Sequence, residues 1–455
     1  MMASSLSSRS HLGRLVRNDP LHRGAARLRQ RNCRRRPAPR VTAVSTVKEV
    51  LGDDLGDPGH WNHSVEWWGT QAGGWGKSQG SVRFDRNSKY GNGIITVTVH
   101  EFLGSPKCPP VNVDVLAAAC GDPERAAEAA APEGGAVREW RVLRFGDKTR
   151  QSVNLVWRMR APRASGEGNT IRVPRAPLLI DPRCLAFEYQ KTMAAAVLAT
   201  LGASGRLETA TEKKPVTIYC LGLGGGSLPA FLAYWLRSKG VPYSIRGVEL
   251  DPDVAIAAKD HMGLVDGYCQ VDVASAEAVM AAAPSGSADC VVIDCFKADN
   301  EVPVALTDPR GAFMLDLSSV LNKTGSLVVN LQCGSAGKKS SPGLPTPVRR
   351  AMNARQCPGY ERDTPRGQYL SETAEGYAKA IVGRVGRKGS AYTVRANNQY
   401  NVAVVASRAW SLPPGVGAAE AELQRLALDA ARGSGDAVLF DVGARAWLGY
   451  ADLLE

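Results

Sequence analysis

Three carboxylates stand at equivalent places in the chain, each at or near the end of a short apolar run. Glu249 ends SIRGVE, Asp272 follows YCQV, and Asp294 follows ADCVVI. A glycine-rich loop from Gly222 to Gly226 ends an earlier run of the same kind, VTIYCL. Glycine lets the backbone approach a ligand closely, and carboxylates at strand ends can accept hydrogen bonds from it. These residues predict a site for a nucleoside cofactor.

Each carboxylate has its own predicted role in such a site. Glu249, 27 residues after Gly222, is expected to accept hydrogen bonds from the two ribose hydroxyls. Asp272 is expected to accept from the adenine amino group. Asp294 is expected to face the reacting group, where it either takes a proton or binds the amino group of the cofactor. Helix capping is the alternative for each acid, above all for Asp251 and Asp272.

The elements that must position these residues alternate regularly from Pro215 onward. Apolar strands, among them VTIYCLG, SIRGVEL and ADCVVIDCF, are separated by helical segments such as SLPAFLAYWLRSKG and RGAFMLDLSSVLNKTG. This alternation predicts a parallel sheet covered on both faces. AYTVRA and YNVAVVASR add an antiparallel edge and bring the count to seven strands. The predicted fold class is α/β, a seven-stranded doubly wound, Rossmann-like sheet of the methyltransferase variant.

The glycine loop distinguishes between two kinds of cofactor. A dinucleotide site requires G-x-G-x-x-G, with a pyrophosphate at the helix N-terminus. Ser227 occupies the third glycine position, so this fingerprint is incomplete and a nicotinamide enzyme is not favoured. S-adenosylmethionine carries no phosphate, and Gly222, Gly224 and Gly226 are expected to leave room for its methionine part.

Residues 46–182 are predicted to form a smaller β-rich subdomain before the main domain, 183–410. Its strands are marked by β-branched and aromatic residues, as in IITVTVHEF and SVNLVWRM. The Ala- and Glu-rich segment 117–136 is predicted to be a surface loop or insertion. Four tryptophans within 61–75 are interpreted as filling a thin core, with an aromatic platform for a ligand as the alternative. His60 and His63 lie nearby without a third ligand, so no metal site is predicted. Residues 411–455 are predicted to be a C-terminal helical segment.

Most of the net charge of +12 comes from the N-terminal segment. Residues 1–45 contain eleven arginines and a single acid, Asp19, and lack the apolar core of a secretory signal. This composition predicts an organelle transit peptide, for a chloroplast rather than a mitochondrion, with a basic binding arm as the alternative. Because the remaining chain is almost neutral, nucleic acid is not an expected partner.

Composition also limits other classes of protein. No run of 18 uncharged apolar residues is present, so no membrane span is expected. The ten cysteines are scattered without a C-x-x-C pair, which predicts buried reduced thiols rather than zinc ligands.

The stretch from Gln151 to Arg408 resembles the spermidine synthase-like group, which contains aminopropyltransferases and methyltransferases of the same fold. LLIDPRCLAFEYQKTM is similar to the strand and helix of that group whose Tyr-Gln pair borders the active site. The resemblance implies that Tyr189 and Gln190 line the acceptor side and that Gln190 also contacts the cofactor. It also implies an N-terminal β-subdomain of the kind that often builds oligomers, so a homodimer is a candidate assembly.

The chain departs from the aminopropyltransferases at two positions. Those enzymes carry Gly-Gly-Gly-Asp-Gly-Gly in the loop, where this chain continues from its glycines into Ser227. They carry Asp-Ser-Ser-Asp after the fourth strand, where this chain has Asp294-Cys-Phe-Lys297. A polyamine is at least a dication, and a lysine in place of the second acid repels it. Polyamine synthesis is therefore not favoured.

The loop from Leu221 to Pro229 is similar, residue for residue, to that of the elongation factor 1-alpha lysine and N-terminal methyltransferases, in their C-terminal domain. This resemblance implies S-adenosylmethionine as the cofactor, methyl transfer as the reaction and Asp294 as the catalytic residue. It leaves the acceptor open, a protein amine or a small molecule. A non-catalytic descendant of the family is the main alternative. The basic segment from Ser335 to Arg350 is expected to be a surface connection, or else a cover for the site.

Overall fold

The computed structural model describes residues 80–102, 113–121, 123–131, 136–146, 149–159, 178–296, 301–332, 365–383, 389–395, 401–409, 425 and 451–453. The chain divides into two units, residues 1–42 and 43–455, and every described residue belongs to the second. The predicted transit peptide, the tryptophan-rich segment, Lys297 and the basic segment 335–350 lie outside the described residues.

The first sheet is antiparallel and has five strands in sequential order. Alternating β-branched residues form these strands because their side chains pack well on a pleated surface. The strands are β1 (Ser81–Asn87), β2 (Ile94–Glu101), β3 (Val137–Phe145), β4 (Thr149–Arg158) and β5 (Leu178–Ile180).

Two helices occupy most of the segment that was predicted to be a surface insertion. They are α1 (Val113–Cys120) and α2 (Pro123–Ala130). Leu116, Ala119 and Ala126 are fully or almost fully buried in the core beside β3 and β4. The prediction of a loop was wrong because alanine has the highest helix propensity and a small apolar stripe suffices to dock such a helix.

The second sheet has eight strands in the order β13-β11-β12-β10-β9-β6-β7-β8. Five neighbouring strands, from β10 to the edge strand β8, are parallel, and β12 runs antiparallel between β10 and β11. Their bounds are β6 (Val216–Leu221), β7 (Tyr243–Glu249), β8 (Gln270–Val273), β9 (Ala288–Ile293), β10 (Leu321–Gln332), β11 (Ser390–Arg395), β12 (Asn401–Ser407) and β13 (Ala451–Leu453). This confirms the predicted Rossmann-like methyltransferase fold, with one short strand more than the predicted seven.

Helices cover both faces of this sheet, which is why β9 is buried along its whole length. They are α3 (Glu188–Ala203), α4 (Arg206–Thr209), α5 (Ser227–Ser238), α6 (Pro252–Ile256) continued by a π turn (Ala257–His261), α7 (Ala276–Ala282), α8 (Val304–Thr307), α9 (Ala312–Val320) and α10 (Pro365–Ile381). Among the described residues, no helix is long and apolar enough to cross a membrane.

Two local predictions differ from the structure. The helix α9 ends at Val320, and the following residues begin β10, because Leu321 already pairs with Ala288 of β9. Ala451–Leu453 is a strand within the segment predicted to be helical, since it pairs with β11.

Candidate functional site

The strand order reverses between β6 and β9, and the carboxyl ends of these two strands meet there. Gly222 follows β6 with a φ of +87°, and a Cβ at this position would lie 2.4 Å from the carbonyl oxygen of Asp294. Any other residue would force the two strand ends apart. Gly222 therefore brings the glycine loop and Asp294 together at the topological switch point, where doubly wound sheets bind ligands.

Two further loop glycines, Gly224 and Gly225, face strand β4 of the first sheet. Gly225 donates its N–H to Ser152 Oγ at 2.8 Å, and its carbonyl accepts from Asn154 Nδ2 at 2.7 Å. A Cβ on Gly225 would lie 2.8 Å from the Cβ of Ser152, and one on Gly224 2.6 Å from its Oγ. A side chain at Gly224 or Gly225 would therefore collide with strand β4, and the expectation that Gly222, Gly224 and Gly226 leave room for a cofactor stays a prediction.

Glu249 lies at the end of β7, directly beside the glycine loop. Its carboxylate accepts from the backbone N–H groups of Asp251 at 3.1 Å, Leu223 at 3.3 Å and Gly224 at 3.4 Å. Burial raises the pKa of Glu249 above its usual value, and these backbone donors oppose that rise. A carboxylate has about four acceptor positions, so Glu249 keeps capacity for further hydroxyl donors.

Two exposed apolar side chains flank Glu249 at this edge of the sheet. Leu250 is 49% exposed and Val273, whose Cα pairs with that of Glu249, is 53% exposed. Apolar groups next to a hydrogen-bonding carboxylate fit a nucleoside, in which a flat base adjoins a ribose with two hydroxyls. The residues present therefore suit the predicted cofactor.

Asp272 forms an ion pair that the sequence did not predict. Asp272 Oδ2 accepts from Arg246 Nε at 2.8 Å, and the Arg246 guanidinium lies over the Tyr219 ring, 5.6 Å from its centroid. Asp272 is the last residue but one of β8, which ends at Val273. Its predicted contact with an adenine amino group stays a prediction, and the ion pair with Arg246 is its described partner.

Asp294 lies at the centre of a network of neutral hydrogen-bond donors. Asn330 Nδ2 donates to Asp294 Oδ1 at 2.7 Å, and the Tyr189 hydroxyl is hydrogen-bonded to the same carboxyl group. Asn401 Nδ2 in turn donates to Asn330 Oδ1 at 3.0 Å. Burial raises the pKa of Asp294 to about 6, although both donors favour its charged form. The Asp294 carboxyl group can therefore exchange a proton near neutral pH.

The two predicted acceptor-side residues, Tyr189 and Gln190, have different surroundings. The Tyr189 ring stacks on Phe187 with 5.5 Å between centroids, and its hydroxyl reaches Asp294. Gln190 is 4% exposed, and its Oε1 accepts from Ser227 Oγ at 3.1 Å. The structure thus joins Tyr189 to Asp294 and joins Gln190 to the first turn of α5, where aminopropyltransferases carry their loop acid.

Sequence reasoning missed Asn330 and Asn401 as members of the site, and Ser152 and Asn154 as supports of the loop. A signal was present in each strand, because a polar residue interrupts an apolar run, as Asn330 does in SLVVNLQ. Buried amides require partners, and such interruptions therefore mark positions where a strand meets a polar group. No group of three or more potential metal ligands occurs among the residues that the structure describes.

No protein-family model and no curated protein matches the chain. Solved structures do resemble it. A probable spermidine synthase from Corynebacterium glutamicum is 12% identical, with a TM-score of 0.43, over 76% of this chain and 86% of its own. Human methyltransferase-like protein 13, in complex with SAH, is 21% identical, with a TM-score of 0.35, over 53% and 92%. Spermidine synthase from Thermotoga maritima is 10% identical, with a TM-score of 0.35, over 72% of each chain.

Proposed function

We propose that this protein is a S-adenosylmethionine-dependent methyltransferase of the spermidine synthase-like type, acting on an amine of a protein or a small molecule. The observation that carries the proposal is the environment of Asp294. This carboxyl group lies at the switch point, is held by Tyr189 and Asn330, and has a pKa of about 6. A single carboxylate with neutral neighbours suits one amine nitrogen better than it suits a polyamine.

Different residues at the sheet edge would bind different parts of the cofactor. Glu249 would accept from the ribose hydroxyls, and Leu250 with Val273 would offer an apolar surface to the base. Gly222, Gly224 and Gly226 shape the loop through which the backbone approaches the cofactor. When bound, S-adenosylmethionine supplies a methyl group that leaves the sulfonium sulfur without the bonding electron pair, which stays on the sulfur.

Asp294 and its partners would prepare the acceptor. An amine attacks only when its nitrogen lone pair is free, so an ammonium group must first lose a proton. Asp294 would take that proton, and the Tyr189 hydroxyl and the Asn330 amide would hold the carboxylate in place. The pKa near 6 brings this base closer to the pKa of an amine than an ordinary aspartate, which lowers the cost of the proton transfer. Positioning the nitrogen in line with the methyl group would supply much of the remaining acceleration.

Calorimetric titration of the full chain tests the cofactor assignment. S-adenosylmethionine, its decarboxylated form and NAD are compared, with Glu249→Ala and the isosteric Glu249→Gln as controls. We expect binding of S-adenosylmethionine, weakened about tenfold or more in both variants because the ribose loses a charged acceptor. Preference for the decarboxylated form would instead support polyamine synthesis. Absence of binding by all three compounds would indicate a non-catalytic descendant.

The composition of the N-terminal segment supports a proposal for the cellular compartment of the acceptor. Residues 1–45 are proposed to be a chloroplast transit peptide on their composition alone. A fluorescent protein fused behind these residues is expected to accumulate in chloroplasts, and accumulation in mitochondria or the cytosol would overturn the assignment.

A further inference from the structure

The turn between β1 and β2 lies against the loop that follows Glu249. Ser88 Oγ and Asn92 Nδ2 both donate to Oδ2 of Asp251, at 2.5 Å and 2.9 Å. Ser88 and Asn92 connect two strands of the first sheet, whereas Asp251 follows a strand of the second. Asp251 is only 1% exposed, so its carboxylate depends on protein donors rather than on water.

Asp251 connects the turn to the predicted ribose acceptor. Its Oδ1 accepts from Asp253 N at 3.0 Å and thereby caps α6, while its own N–H donates to Glu249 Oε1 at 3.1 Å. The two other backbone donors to Glu249 are longer, at 3.3 Å and 3.4 Å. The position of the Glu249 carboxylate therefore depends strongly on where Asp251 is held.

The turn is itself well ordered by short-range hydrogen bonds. Ser88 N donates to the Gly93 carbonyl at 2.9 Å, and Ser88 Oγ accepts from Tyr90 N at 2.9 Å. Gly91 and Gly93 have positive φ values of 87° and 67°, which a compact turn of this kind requires. A serine hydroxyl that both closes the turn and donates to Asp251 couples the shape of the turn to the shape of the loop.

We propose that Ser88 and Asn92 are positioning residues for the nucleoside site. They fix Asp251, Asp251 fixes the carboxylate of Glu249, and the first sheet in this way sets the affinity for the cofactor. This inference rests on the proposed function, because it takes Glu249 as the acceptor for the ribose. It explains why a β-subdomain precedes the cofactor-binding sheet, since that sheet alone leaves the Asp251 carboxylate without two of its donors.

The full chain carrying Ser88→Ala and Asn92→Ala tests the proposal by calorimetry with S-adenosylmethionine. We expect the Kd to rise about three- to tenfold, the range of coupling through a positioning residue. Ser88→Thr, which keeps a hydroxyl, is expected to stay close to the wild-type Kd. A purely structural role would lower the midpoint of thermal unfolding and leave the Kd measured well below that midpoint unchanged, and that result would overturn the proposal.

Arg86→Ala is the matched control. Arg86 lies on the same hairpin and its Nη1 contacts Asp253 Oδ1 at 3.3 Å, but its side chain is 56% exposed and its contact does not pass through Asp251. Removing it deletes a contact between the same hairpin and α6 without touching Glu249. Its Kd should match the wild type. An increase equal to that of the double variant would show that any loosening of the hairpin has the same effect, which contradicts a specific role for Ser88 and Asn92.

Hydrogen exchange of the protein without ligand separates this inference from the proposed function. The amides of Leu223, Gly224 and Asp251 donate to Glu249, so peptides covering them should exchange about fivefold faster or more in the double variant, as expected when local opening becomes easier. Arg86→Ala should leave them unchanged. If the wild type did not bind S-adenosylmethionine, the proposed function would fail, and exchange would still decide whether the turn positions Glu249. Equal exchange in the wild type and the double variant would overturn that positioning.

Discussion

Strand β9 carries an aspartate near each end, and the two are held in opposite ways. Asp289, at the amino end, accepts from Arg206 Nε at 2.7 Å, Asn322 Nδ2 at 2.7 Å and the backbone N–H of Thr217 at 2.9 Å. Asp294, at the carboxyl end, accepts from Asn330 and Tyr189 but has no ion pair among the described residues. The acid at the amino end is fixed in an ion pair, and the acid at the carboxyl end is the one to which the proposed function assigns the proton transfer.

The difference has an electrostatic cause. A buried carboxylate paired with arginine is stabilised in its charged form and is costly to disturb. A buried carboxylate with only neutral donors has a raised pKa and can exchange protons near neutral pH. An ion-paired acid and an acid with neutral donors therefore lie five residues apart along one strand, and the second is at the carboxyl end, where sheets of this kind bind their ligands.

Removing the chemical acid should have the largest effect. Asp294→Asn keeps the shape and the hydrogen bond from Asn330 but cannot accept a proton. We expect methyl transfer from labelled S-adenosylmethionine to its acceptor to fall by about 10² to 10⁴, the usual range for a general base. A large loss of S-adenosylmethionine affinity with little change in the rate at saturation would show instead that Asp294 binds the amino group of the cofactor.

Removing the structural acid should change stability and leave the chemistry intact. Asp289→Asn leaves Arg206 buried without its counter-charge, and the free energy of unfolding should fall by about 3 kcal/mol. Urea denaturation measures this loss. Asp266→Asn, at an acid whose side chain is 80% exposed and paired with Lys259, is the control and should change stability by less than about 0.5 kcal/mol. Equal losses in the two variants would remove the contrast between the ends of β9.

Weakening the support of Asp294 should shift its titration. Asn330→Leu deletes a donor that favours the charged form, so the pKa of Asp294 should rise above 6, by about one unit. Carbon NMR of labelled aspartate measures this pKa directly, and the pH dependence of methyl transfer should move in the same direction. Ser326→Ala, on the same strand but bonded to Ser407, should leave the pKa unchanged. An unchanged pKa in Asn330→Leu would contradict the role of the amide.

The smallest effect concerns stability against pH. The pKa of Asp294 is raised from 3.8 to about 6 on folding, so between these values the native state binds more protons than the unfolded chain. Its contribution to the free energy of unfolding is therefore greatest below pH 4 and is lost as pH rises through 6. The difference in unfolding free energy between Asp294→Asn and the wild type should therefore change with pH. We expect it to shift in favour of the variant by about 1–2 kcal/mol as pH rises from 4 to 7, as measured by urea denaturation. A constant difference over this range would contradict the raised pKa.

Much of the architecture could be predicted because it depends on local pattern. The runs VTIYCL and ADCVVI are apolar throughout, since strands buried on both faces need no polar residues, and each became a central strand. The roles given to the site residues stay predictions. The structure brings Tyr189 to Asp294, pairs Asp272 with Arg246, and places Gly224 and Gly225 against Ser152. Those partners lie on other elements, and no local pattern identifies them.

The sequence by itself determined the order of the elements and the placement of Glu249 and Asp294 at strand ends, because strand period, apolar composition and glycine position are properties of short segments. The tertiary structure alone decided which groups surround each acid. Asp289 pairs with a buried arginine, and Asp294 accepts from two neutral donors. Glu249 accepts from the N–H of Asp251, whose carboxylate accepts from Ser88, 163 residues earlier in the chain. The charge and function of a carboxyl group depend on the groups around it in space, and folding brings those groups from distant parts of the chain.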